Sequence, residues 1–307
     1  METFTGIFNC KYPIAVMAMN RVSDVKLAVA CATVGILPSL SIFNYYTGPG
    51  QLGLEKFRLA VAEFNALTAS APLLVSVSVD TIVNDDSFKL LIDCQIKILE
   101  IVFDSPNEIE ITDVRIAKRN TRIAELRANG VHVLSKALDV DDVEETLVDG
   151  IILKGPDAAG RVVDDGTSLI DRIKKCKEQY PHLYIIASGG IGTSAQIQEC
   201  IDAGAIGVGL GTIFAAAEES SISLDTKLKM VAASSNDIGK LKNGARQHAL
   251  IFSELHKDVN NNTHGLAAGI KNPESGHVFA GKGIAQITAV KSVKDIVDDL
   301  TAVLHRN

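Results

Sequence analysis

Eight times along the chain, a short unbroken run of apolar and β-branched residues precedes or follows a stretch with helical spacing of its apolar residues. The runs cover residues 13–17, 36–40, 73–79, 98–103, 131–136, 150–154, 183–188 and 206–210. The helical stretches include 25–33, 54–67, 85–92, 116–129, 168–178 and 194–203. Several runs do not alternate apolar with polar, as expected of strands buried on both faces of a parallel sheet. An open doubly wound sheet usually stops near about six strands, so eight predict an α/β fold, a parallel (β/α)8 TIM barrel. Gly35, Gly130 and Gly204 each fall between a helical stretch and the next run, and read as helix stops with positive φ.

The 307 residues exceed the roughly 250 of a plain barrel. We assign 1–214 and 281–307 to the barrel and 215–280 to a helical extension over its mouth. Within the latter, 224–256 reads as mostly helical and 260–264 as a loop; 292–304 reads as a closing amphipathic helix. Hydrophobic residues make up 47%, enough for a large core. The net charge of -7, with basic residues scattered, argues against a nucleic-acid stripe or an anionic membrane surface. Five cysteines without a CxxC pair read as reduced thiols. With no apolar run of membrane length and no leader-like start, the expectation is a cytoplasmic protein. No zinc or calcium spacing is present, so no metal is expected.

The strongest chemical signal is Ile185-Ile186-Ala187-Ser188-Gly189-Gly190-Ile191-Gly192-Thr193, where an apolar strand ends in a double glycine and enters a helix. Glycines let a backbone approach an anion closely, and a helix start offers free N–H groups. The pattern returns in Gly207-Val208-Gly209-Leu210-Gly211-Thr212-Ile213-Phe214. A lone Gly-Gly would mean only a tight turn. Two such turns after strands seven and eight are where barrels often build a phosphate site.

These segments, extended through Ala215-Ala216-Ala217-Glu218-Glu219-Ser220, resemble the nitronate monooxygenase (2-nitropropane dioxygenase-like) family of FMN-binding barrels, which includes the flavin-dependent enoyl-ACP reductases. Pro13-Ile14-Ala15-Val16-Met17-Ala18-Met19 resembles the family's first βα unit, and Phe103-Asp104-Ser105-Pro106 its Phe-Gly-x-Pro loop. Gly155-Pro156-Asp157-Ala158-Ala159-Gly160 resembles its Gly-x-Glu-Ala-Gly-Gly segment, and Ala280-Gly281-Lys282-Gly283-Ile284 its tail. The resemblance implies that Gly189, Gly190, Gly211 and Thr212 hold the FMN phosphate. It implies that Met17, Ala18 and Met19 lie against the isoalloxazine ring, with Ser76 near it.

Three positions depart from the family pattern. Arg161 stands where the family places a histidine after its glycine, and an arginine is always charged and no ordinary base. It suits an anionic ligand. Lys154 replaces a glutamine at the end of strand six, where a cation would favour the anionic reduced ring; the plainer alternative is a salt bridge to Asp157. Gly209 replaces another glutamine. His264 and His277 are the substitute histidines for catalysis, so the catalytic candidates are Arg161, Lys154 and His264. His132 reads as structural; Asp80, Thr81, Asp104 and Ser105 follow strands and are further candidates for the site wall. The resemblance implies an FMN-dependent, monooxygenase-like oxidoreductase acting on a small, anionic or neutral substrate with oxygen as acceptor. Three alternatives stay open: an NAD(P)H-dependent enoyl reductase-like enzyme, a catalytically silent flavin-binding scaffold or partner subunit, and a non-flavin barrel for a phosphorylated metabolite. A homodimer or a protein partner also stays open.

Overall fold

In the computed structural model, residues 3–48, 51–103, 112–242, 246–252, 262–302 and 304 are described. The barrel strands are β1 (Ile14–Val16), β2 (Ser39–Ser41), β3 (Leu74–Ser78), β4 (Ile98–Val102), β5 (His132–Ala137), β6 (Gly150–Lys154), β7 (Tyr184–Ser188) and β8 (Gly207–Leu210). Each pairs in parallel with its sequence neighbours, and β8 pairs with β1. The ring closes through a parallel bridge between Ala15 and Leu37. The helices Val25–Val34, Leu54–Thr68, Asp113–Ala128, Leu169–Gln179 and Ser194–Asp202 cover the outside. The β5–β6 connection carries a 3-10 turn, Val140–Asp142, in place of a helix. Gly35, Gly130 and Gly204 have φ of 86°, 74° and 114°, as the helix-stop reading required.

Side chains fill the interior in layers. At the floor, the helix Phe4–Phe8 inserts Phe4 and Phe8, whose ring centroids lie 4.8 Å apart. Phe8 meets His132 and Tyr184 edge-on at 5.9 and 5.8 Å, so His132 belongs to the packing of the floor. Gly207 permits this plug: a Cβ there would sit 2.5 Å from the Phe4 ring and 2.7 Å from the Pro13 carbonyl oxygen. Above it lies an apolar layer of Ala15, Leu37, Leu74, Ile98, Leu134, Ile152 and Ile186. Two residues further along each strand the side chain points to the same face. There the sequence turns polar, with Ser39, Ser76, Glu100, Lys136, Lys154 and Ser188 forming the top of the interior.

The segment read as a helical extension is mixed. Leu224–Ala232 and Asn262–Lys271 are helices. However, Ile238–Lys242, Arg246–Ile251 and His277–Phe279 are strands of an antiparallel sheet, which corrects the helical reading of 224–256. The strand Arg246–Ile251 also pairs with Gly160–Arg161, which follows β6, and so ties the extension to the barrel mouth. Non-local pairing decided the outcome here over the local helix preference of Lys, Leu, Ala and Gln. Among the described residues, no helix is long and apolar enough to cross a membrane.

Removing a plug ring leaves a void that the closed barrel cannot collapse into. Phe8→Ala should lower unfolding free energy by about 3–5 kcal/mol, the range for buried Phe truncations. Denaturant melts of both proteins measure this, and a change under 1 kcal/mol would show that the floor is not packed as described.

Candidate active site

A cavity of about 250 Å³ opens at the C-terminal ends of the strands. Met17, Ala18, Met19 and Asn20 after β1 form one wall. Ser188 to Ile191 after β7 and Leu210 to Thr212 after β8 form another. Lys136 and Lys154 rise into it from the polar layer, and Ala158 to Gly160 border it. Ile222, Leu266, Val278 and Phe279 add an apolar side contributed by the extension.

Each wall is held by specific contacts. Buried Ser23 clips the turn after β1: its Oγ accepts from the Met19 N–H at 2.8 Å and donates to the Met17 carbonyl at 3.4 Å. Gly209 accommodates Met17, since a Cβ there would lie 2.6 Å from the thioether sulfur and terminal methyl. The space that a glutamine would occupy in the family pattern therefore holds a methionine side chain. Gly189 and Gly190 have φ of 115° and 75°. A Cβ on either would meet Ala158 or Asp157 at 2.8 Å, so the double glycine is required by conformation and by close approach to the loop after β6. The Thr212 hydroxyl accepts from the Gly281 N–H at 3.1 Å, which leaves its own O–H to donate elsewhere.

That loop is organised by Arg172, which is fully buried on the helix Leu169–Gln179. Its guanidinium donates to the carbonyls of Leu138 (2.7 Å), Lys154 (3.1 Å) and Val163 (2.8 Å), and to the Asp165 carboxylate (2.8 Å). The Thr167 N–H and this guanidinium hold the Asp165 carboxyl down at about 2. On the cavity side, Lys282 pairs with Asp157 at 2.7 Å. Asp157 is thus the partner of Lys282, and the alternative of a Lys154–Asp157 bridge is not what forms.

Lys154 instead donates to the carbonyls of Ala159 (2.8 Å) and Arg161 (2.7 Å). Burial, then the Lys136 charge, push its ammonium down to about 7; Glu100 opposes the shift and Arg161 adds to it. Glu100 is completely buried, accepts from Ser76 at 3.2 Å and forms an ion pair with Lys136. Its Oε2 has no hydrogen-bond partner.

The expected site residues Met17, Ala18, Met19, Lys154, Gly189, Gly190, Gly211 and Thr212 are brought together on one cavity. Ser76 lies beneath it, bonded to Glu100. Gly160, not Arg161, borders the cavity, and the Arg161 backbone pairs with Gln247. His264 falls within the helix Asn262–Lys271, and its side chain lies outside what the structure describes, as do Asp104 and Ser105. His277 is buried with its ring edge-on to Phe279 at 5.3 Å. Asp80 pairs with Arg115, and the buried Thr81 bonds Ser78. Glu100 and Lys136 were not singled out from the sequence, although a charge inside an apolar strand run is the signal that marks them. His248 was also missed; it is buried with Nδ1 3.1 Å from the Ala158 carbonyl, and burial lowers its pKa. Among the described residues no group of His, Cys, Asp or Glu could hold a metal ion.

The paired glycine turns after β7 and β8 of this TIM barrel lie where barrels frequently build a phosphate site. The chain belongs to the nitronate monooxygenase family, whose model matches residues 1–302. The family is named for an oxidoreductase activity. A nitronate monooxygenase from Paraburkholderia phytofirmans (strain DSM 17436 / LMG 22146 / PsJN) is 30% identical over 166 residues, 50% of this chain and 42% of that protein. The chain thus spans less than half the length of that relative. The fold is shared with FabK from Thermotoga maritima (TM-score 0.81, 21% identity, 98% of this chain and 96% of that one). It is also shared with nitroalkane oxidase from Streptomyces ansochromogenes (TM-score 0.75, 19% identity, 99% and 98%).

Arg172→Leu would strip three buried carbonyls of their donor. At about 1–3 kcal/mol for each group left unpaired, the loss should reach roughly 3 kcal/mol or more. Unfolding experiments on the variant test this. Near-wild-type stability would mean that the carbonyls find water and that Arg172 is not the clamp.

Proposed function

We propose that the chain is an FMN-dependent oxidoreductase that oxidises a small substrate in this cavity and passes the electrons to oxygen. The observation that carries the reading is that two glycine turns stand side by side on one wall of the cavity. Gly189 and Gly190 leave no room for a Cβ, and Gly211 and Thr212 sit on the adjoining strand end. These four residues fit a phosphate: three are glycines on the cavity wall, with no Cβ of their own over their amides, and the Thr212 hydroxyl keeps a donor. Met17, Ala18 and Met19 offer the wall for a flat ring. When bound, FMN would supply two-electron transfer between substrate and acceptor.

The protein's own contribution is positioning and charge. Among the described residues of the polar layer, Lys136 and Lys154 outnumber the carboxylate Glu100. This excess favours a group that gains negative charge and a substrate that carries some. The apolar side at Ile222, Leu266, Val278 and Phe279 favours a second reading, in which a nicotinamide reductant serves an acyl-chain substrate in the manner of an enoyl reductase.

The purified protein should absorb in the flavin bands and, once reduced anaerobically, reoxidise on admitting air. Bleaching by NAD(P)H without other substrate would favour the reductase reading. A coloured protein that no reductant bleaches would favour the silent scaffold, and a colourless one a different phosphorylated ligand. Gly190→Val should leave a folded barrel with little bound flavin, because its Cβ would meet Asp157 and its φ is unfavourable for Val. Full flavin occupancy in that variant would move the phosphate elsewhere.

A further inference from the structure

Lys136 and Lys154 are the titratable side chains on the cavity wall among the described residues. They are not equivalent. Lys136 is ion-paired with buried Glu100. Among the described residues Lys154 has no carboxylate partner; its nitrogen is held by two backbone carbonyls, at 2.8 and 2.7 Å. A neutral amine satisfies both carbonyls with its two N–H bonds. Its remaining tetrahedral direction then carries the lone pair, and the group borders the cavity. The two carbonyls therefore keep a donor from Lys154 with and without its third proton.

We propose that Lys154 is the base of this site: it takes a proton from a ligand carbon whose anion spreads charge onto adjacent oxygens, with the Lys136 ammonium close to that charge. The proposal rests on the oxidoreductase reading of the cavity and names its proton acceptor and substrate class, a carbon acid. In the step, the C–H bond breaks, an Nζ–H bond forms with the lysine lone pair, and the C–H electron pair stays on the ligand. Lys154 becomes an ammonium and the ligand an anion; nothing is oxidised, and the reverse step returns the proton. The groups around Lys154 suit this role. Burial and the charges of Lys136 and Arg161 drive its proton off, and Glu100 limits the shift, so that it titrates at about 7. A base works best with its pKa near the working pH. Arg161 stays charged and cannot take the proton. His248 lies behind the loop, against the Ala158 carbonyl, and does not border the cavity.

The test is exchange of the α-protons of nitroethane in D2O, followed by NMR under anaerobic conditions with the flavin-loaded protein. Exchange above the buffer rate should rise with pH and level off, with its midpoint near 7. Lys154→Arg keeps the charge and the donors to both carbonyls but cannot accept a proton. It should lose exchange by 100-fold or more, within the range for general-base catalysis, while its flavin absorbance persists. Exchange within a few-fold of wild type in that variant, or none in the wild type, overturns the proposal. If the variant does not fold, the lysine 13Cε signals of the wild-type protein decide: one should titrate near 7, and none below 9 overturns the proposal. The flavin bands and air reoxidation are read separately, so failure here leaves the cofactor reading standing.

Discussion

A closed eight-stranded barrel has an interior that only side chains can fill, and the way this chain fills it sets everything above it. Phe4 and Phe8 close the floor, and one apolar layer spans the middle. Protein interiors tolerate few voids, so these two layers fix the height at which polar groups can begin. Glu100 then sits fully buried beneath the cavity, and its partner Lys136 reaches the cavity wall. A buried ion pair adds little stability against an apolar replacement. Its place at the bottom of the cavity is explained by the electrostatics it gives the site.

The same economy of space runs through the loop after β6. Arg172 gathers carbonyls from β6 and the connections after β5 and β6 on one side. On the other, Gly281 brings its backbone so close that a Cβ would stand 2.3 Å from the Asp157 carbonyl oxygen. Between these two contacts Ala158 to Gly160 border the cavity, Ala158 and Asp157 meet Gly189 and Gly190, and the carbonyls of Ala159 and Arg161 hold Lys154. The antiparallel sheet of the extension fastens its far end through Gly160 and Arg161. The cavity's geometry thus comes from packing in the barrel and pairing in the extension together.

The barrel was legible because its strands are apolar on both faces and three of its helix stops carry a glycine, at 35, 130 and 204. The double glycine at 189–190 was legible because its conformation and its chemistry require the same residue. What stayed hidden depended on distant contacts. Residues 238–242 and 246–251 contain good helix formers, and their pairing with each other and with 160–161 and 277–279 makes them strands. Glu100 and Lys136 looked like interruptions in apolar runs; the register of β3 to β6 shows that they face the same interior as Ser76 and Lys154. Arg161 drew attention by its place after a glycine, yet its backbone pairing and its carbonyl are what the structure displays most clearly.

The central claim is that the barrel's C-terminal face is an FMN site with its phosphate on the β7 and β8 turns and its ring over the cationic layer. The most direct measurement is a crystal structure of the coloured, as-purified protein. The account predicts phosphate oxygens within hydrogen-bond distance of the amides of Gly189, Gly190 and Gly211 and the Thr212 hydroxyl, with the ring against Met17 to Met19 and near Lys154. A phosphate bound anywhere else, or a cavity filled by a ligand without a flavin ring, would contradict it.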